Sequence, residues 1–103
     1  MYKDKYLVFR SRPEKGQPRF TVMGKVEEGV LSMAASRCSQ KDQFNKEKGR
    51  LIAEGRLEKE SFVDVNVEKE LGKQFVKEAK EICENFDMYL NKEYQKKAEV
   101  ISA

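Results

Sequence analysis

The chain has 103 residues, 39% hydrophobic and 38% charged, with a formal net charge of +3 and no histidine. That length suits one domain with a small core, and the missing histidine removes the usual general base, metal ligand and neutral-pH switch. No apolar run approaches a membrane span, and the opening Met-Tyr-Lys-Asp-Lys lacks the apolar segment of a secretory signal. With Cys38 and Cys83 far apart and alone, the expectation is one soluble cytoplasmic domain over residues 1–103 with reduced thiols.

Lys5 to Arg10, rich in aromatic and β-branched residues, predicts a short strand. Pro13, Gly16 and Pro18 then mark a loop. From Arg19, Phe20, Val22, Gly24 and Val26 alternate onto one face, and Glu27-Glu28-Gly29 turns the chain into a return strand over Val30 to Ser36. Three such strands make an antiparallel meander.

Ser39 suits an N-cap, with Asp42 three residues on as a weaker capping-box partner. The following helix is predicted to turn Phe44, Leu51, Ile52 and Gly55 toward the core and to end near Glu54, with Gly55 as its C-cap. Gly49 costs a helix about 1 kcal/mol relative to Ala, which points to close approach of a neighbouring backbone. Glu60 to Val67 predicts a fourth strand with Val63, Val65 and Val67 on one face, and Asn66 as the cap of a second helix. Leu71, Phe75, Ala79, Ile82, Phe86, Tyr89 and Leu90 then recur at steps of three and four. They predict one helix to about Lys97, roughly 40 Å long. The expected fold is α+β in the order β-β-β-α-β-α: a four-stranded, mainly antiparallel sheet with both helices on one face. A helix longer than its sheet leaves an apolar end, so Ile82, Phe86, Tyr89 and Leu90 are the expected interface of a homodimer.

The basic excess lies early: the first 25 residues carry seven Lys/Arg against two acids. Arg19, Arg37, Lys41, Lys46, Arg50 and Arg56 are the candidate nucleic-acid contacts, the last five set around a helix start whose amides can hold a phosphate. The competing reading of that block is a solvated face, since Asp42, Glu47, Glu54 and Glu58 are interspersed and Arg50 can pair with Glu54. Tyr2, Tyr6, Phe9 and Phe20 lie among Lys3, Lys5, Arg10, Arg12 and Arg19, a mixture suited either to stacking bases or to a plain strand with one wet face. Cys38 is expected to serve as a small hydrophobe and Cys83 to join the core. Phosphate-binding glycine loops are absent, and no catalytic residue, cofactor or metal is expected.

Ser36-Arg37-Cys38-Ser39, Lys41-Asp42-x-Phe44 and Gly49-Arg50-x-Ile52-Ala53-x-Gly55-Arg56 resemble a segment of small uncharacterised proteins of phages and mobile elements. The resemblance covers about a fifth of the chain and implies a viral accessory protein, including one that blocks host defence. Two functions are expected from the whole. One is non-catalytic binding of DNA, RNA or a nucleic-acid-handling complex through the basic first half. The alternative is inhibition or adaptation of a host protein through the C-terminal helix.

Overall fold

The computed structural model describes residues 6–12, 17–38 and 45–91, with only the main chain of Lys46. The elements run β1 (Tyr6–Arg10), β2 (Arg19–Glu27), β3 (Val30–Cys38), α1 (Lys46–Lys59), β4 (Val63–Asn66), α2 (Leu71–Glu84) and α3 (Phe86–Leu90). The strands form one antiparallel sheet in the order β1-β2-β3-β4. The α+β class, the four strands and their meander are as the sequence predicts.

The β2–β3 ladder is the longest, running from Arg19 opposite Cys38 to Glu27 opposite Val30. Its two-residue turn holds Glu28 at φ 52° and Gly29 at φ 77°. Two left-handed residues give a turn whose twist matches that of the strands it joins. At the other end of β2, the Ser11 amide donates to the Phe20 carbonyl and the Phe20 amide donates to Ser11 Oγ, at 3.0 and 2.8 Å.

The two larger helices lie on opposite faces of the sheet, which corrects the expectation of one helical layer. Directly opposed residues share a face, and neighbours along a strand alternate. Thr21 and Met23 therefore stand with Ser36 and Ala34, whereas Val22 and Gly24 stand with Ala35 and Met33. Gly49 of α1 rests on the first set, where an added Cβ would lie 2.9 Å from Thr21 Oγ1. Phe75 of α2 rests on the second, its Cε1 2.7 Å from where a Cβ on Gly24 would be. The cause is visible in burial: Thr21–Gly24 and Met33–Ser36 are buried without interruption. A strand centre hidden on both sides needs a helix on each.

Helix α1 also differs from its prediction. Its N-cap is Asn45, whose Oδ1 accepts from the Lys48 amide at 3.0 Å. Ser39, Asp42 and Phe44 lie outside the described residues. The helix runs through Gly55 to Lys59, where the Glu60 amide donates to the Arg56 carbonyl. Its inward face is Gly49, Ala53 and Leu57, at steps of four, and Leu51 and Ile52 are 53% and 39% exposed. Small and hydroxyl side chains on the sheet let the helix axis come close, and Ser36 Oγ donates to the Gly49 carbonyl at 2.7 Å. Gly49 thus meets hydroxyl side chains rather than the neighbouring backbone that the sequence suggested.

The C-terminal stripe is not one straight helix. Asn85, at φ −121° and ψ 30°, separates α2 from α3, and its side-chain amide donates to the Glu81 carbonyl at 3.0 Å. Residues 92–97, the predicted end of the helix, lie outside the described residues. Asn66 does not cap α2; its carbonyl accepts from Gln74 Nε2 at 2.8 Å, and the N-cap is Glu70. The break turns α3 inward. Phe86 meets Phe20 at 5.4 Å and Phe62 at 6.0 Å between ring centroids, and Phe62 stacks on Tyr89 at 6.0 Å. Ile82, Phe86 and Tyr89 are therefore core of this chain, at 0%, 4% and 1% exposure. Of the predicted interface set only Leu90, at 37%, stays at the surface. Among the described residues, no helix is long and apolar enough to cross a membrane.

Candidate functional site

The structure spreads the four predicted cations whose side chains it describes over several surfaces instead of one. Lys41 lies outside the described residues, as does the side chain of Lys46, which opens α1. Arg50 pairs with Glu54 one turn along α1, at 3.5 Å. That is the local pairing of a solvated helix face, worth a few tenths of a kcal/mol. Arg19 opens β2, half-buried, on the face that carries α1, and Arg37 stands on the other face, opposite Phe20.

Arg37 and Arg56 do converge, but on structural work. Arg37 pairs with Asp87 at 3.0 Å and lies 4.8 Å from the Phe86 ring centroid. Arg56 Nη1 donates to the Ala35 carbonyl at 2.9 Å and lies 5.9 Å from the same ring. β4 pairs with β3 only from Val30 to Met33. Phe62 donates to the Met33 carbonyl on the β4 side, and by alternation the Ala35 carbonyl faces that same, now open, edge. Arg56 therefore fills a strand-edge acceptor where β4 has ended. Burial, and then the nearby charge of Arg37, lower its pKa.

A different surface has the makings of a site. A groove of about 930 Å³ opens between the ends of β1 and β2 and the flank of α2. Its apolar lining is Phe9, Phe20, Val76 and Cys83, beside Pro18. Phe9 and Phe20 share a face because Phe9 is opposite Val22, and Phe20 is two residues before Val22 along β2. Arg12 and Lys80 line the same groove, Arg10 borders it from the edge strand with its side chain leaving β1 on the α1 side opposite Thr21, and Glu84 is the one acid among the described lining residues. None of these three cations forms an ion pair with a described residue, in contrast to Lys25, Arg37, Arg50 and Lys73. Burial, with a smaller push from Glu84, raises the Cys83 thiol to about 11, so it stays neutral near pH 7 and adds no negative charge. The volume is at the upper end of the roughly 300–1,000 Å³ of small-ligand sites.

The strand side of this groove, where Phe9 and Phe20 stand beside Arg12 with Arg10 at the rim, is the part that the sequence suggested; its helical wall was missed. The signal was available: Val76, Lys80 and Cys83 repeat at steps of four and three, one position behind the core stripe of Phe75, Ala79 and Ile82. Cys83, expected in the core, is half-buried in that wall. Among the described residues, no group of three His, Cys, Asp or Glu side chains is placed to hold a metal ion. In comparisons with known proteins, the chain matches no family model, no curated protein and no solved structure.

Proposed function

We propose that this chain is a small non-catalytic protein that binds nucleic acid through the groove between the β1–β2 end of the sheet and α2. The observation that carries the reading is three cations without an ion-pair partner among the described residues, with Arg12 and Lys80 lining one concave surface and Arg10 at its rim on the edge strand. Cations already paired with carboxylates gain little from a phosphate, since each new contact breaks an old one. Unpaired ones release counterions from the nucleic acid at no such cost. The resemblance of the Ser36–Arg56 block to phage proteins agrees with an accessory role of this kind. The alternative, an adaptor acting through the C-terminal helix, has less surface to work with, because Ile82, Phe86 and Tyr89 are turned inward.

Fluorescence anisotropy of a labelled oligonucleotide, read across a salt series, tests the reading. The wild-type chain should bind at low salt, with affinity falling as salt rises. Arg10→Glu/Arg12→Glu/Lys80→Glu should weaken binding and flatten the slope by about 0.7 to 0.9 per lost phosphate contact. Arg50→Glu should change it far less. No binding at low salt, or a triple variant that binds as the wild type does, would remove the proposal.

A further inference from the structure

Phosphate contacts alone need only cations on an open surface, yet this groove is also lined by Phe9, Phe20 and Val76. Val76 is 38% exposed, a branched apolar side chain left in water on a helix whose neighbouring Phe75 and Ala79 are buried. Phe20 is braced by Phe86, at 5.4 Å between centroids, so its ring is held in place before any ligand arrives. A ligand that uses the whole groove must bring a flat or apolar group to the lining and negative groups to the cations around it.

Resting on the nucleic-acid reading above, we infer that the groove takes unpaired nucleotides, a single-stranded stretch of DNA or RNA. The bases lie against Phe9, Phe20 and Val76, the phosphates meet Arg12 and Lys80, and Arg10 stands at the rim on the edge strand. A duplex keeps its base faces stacked inside and offers mainly phosphate to such a surface, so it would leave the apolar lining unused. An unpaired strand offers both, and every base has a face to stack, which makes the contact tolerant of sequence. Two of the three cations are arginines, whose planar guanidinium can grip a phosphate in bidentate fashion or lie flat on a base. A neutral Cys83 in the lining adds no repulsion toward the strand beyond that of Glu84.

The test compares a labelled ten-nucleotide deoxyuridine strand, the same length of uridine, and a blunt duplex of equal length, on wild type and on Val76→Ser and Val76→Ile. Val76 is exposed enough that both variants should fold, which a thermal melt checks. The single strands should bind at least about tenfold more tightly than the duplex. Val76→Ser, which changes no charge, should reduce single-strand binding by about fourfold, the scale of one lost methylene-sized apolar contact, and leave the weaker duplex binding nearly unchanged. Val76→Ile should bind the single strands as the wild type does. The deoxyuridine and uridine arms show which sugar is preferred, and either preference supports the inference. Duplex bound as tightly as single strand, or equal losses on both with Val76→Ser, would overturn it while leaving nucleic-acid binding in place. Competition by polyglutamate as effective as by oligonucleotide would also overturn it, by showing a site for any polyanion. Failure to bind all three nucleic acids would remove the underlying reading and this inference together.

Discussion

On one side of the sheet, Phe75, Ile82, Phe86 and Tyr89 cover Val22, Leu31, Met33 and Val63, all at 4% exposure or less. On the other, α1 lays Gly49 and Ala53 over Thr21, Ala34 and Ser36. The first face is stabilised by removing large apolar groups from water, about 1.5–3 kcal/mol for each such side chain. The second also buries Met23 and Leu57, but at its centre it works by proximity: small residues bring helix and sheet together, dispersion acts over short distances, and Ser36 ties the helix backbone to β3. A helix can thus be integral to a fold while its outer surface reads as charged and featureless.

Substitutions on the two faces test that contrast. Phe86→Ala should have the largest effect, a loss of about 3–5 kcal/mol in urea denaturation, because its ring touches Phe20 and Phe62 as well as Arg37. Phe86→Asp should unfold the chain; a folded variant that changed only its state of association would move this ring from the core to an interface. Gly24→Ala should come next, at about 1–3 kcal/mol for overpacking, since its Cβ would fall 2.7 Å from Phe75 Cε1. An unchanged midpoint would mean that the Phe75 ring yields freely and that the large-residue face is loosely packed.

The finest test is a pair within α1. Helix propensity alone favours Ala over Gly by about 1 kcal/mol at either position. At Gly55 nothing lies within 4 Å of an added Cβ, so Gly55→Ala should stabilise by up to about that much. At Gly49 the added Cβ would meet Thr21 Oγ1 at 2.9 Å and Ser36 Oγ at 3.5 Å, so Gly49→Ala should destabilise by about 1 kcal/mol. Stabilisation at both positions, read as raised melting temperatures, would show that α1 does not sit as close as its small residues imply.

Legibility in the sequence divides along the same line. The strands were readable from period-two alternation, and the stripe of α2 from its three-and-four spacing, because in both the buried residues are large. The inward face of α1 was not, because, of its three residues, only Leu57 carries a strong hydrophobic signal, past the predicted end of the helix, whereas Leu51 and Ile52 are exposed. That error also hid the second helical layer. The alternation of Phe20, Val22, Gly24 and Val26 suggested a single buried face; Thr21 and Ser36, polar letters in the sequence, are buried on the other. At the candidate site, charge counts could nominate arginines but could not say which were already engaged. Arg56 on the Ala35 carbonyl and Arg37 on Asp87 are decided by tertiary neighbours far away in sequence. The bend at Asn85 was equally hidden, because the apolar spacing continues across it into Phe86 and Tyr89.

The two-residue turn at Glu28 and Gly29 bears on how the chain can be assembled. No pair in the β2–β3 ladder is further apart in sequence than Arg19 and Cys38. Closing so short a loop costs little chain entropy, and contacts of that kind can form early. β4 reaches its place only across the whole of α1 and so faces a larger closure cost. Gly24, where Phe75 docks, and Thr21 with Ser36, where Gly49 docks, all belong to that central hairpin. The platform for each major helix is therefore complete as soon as the most local part of the chain has zipped, before any distant segment has had to find its partner.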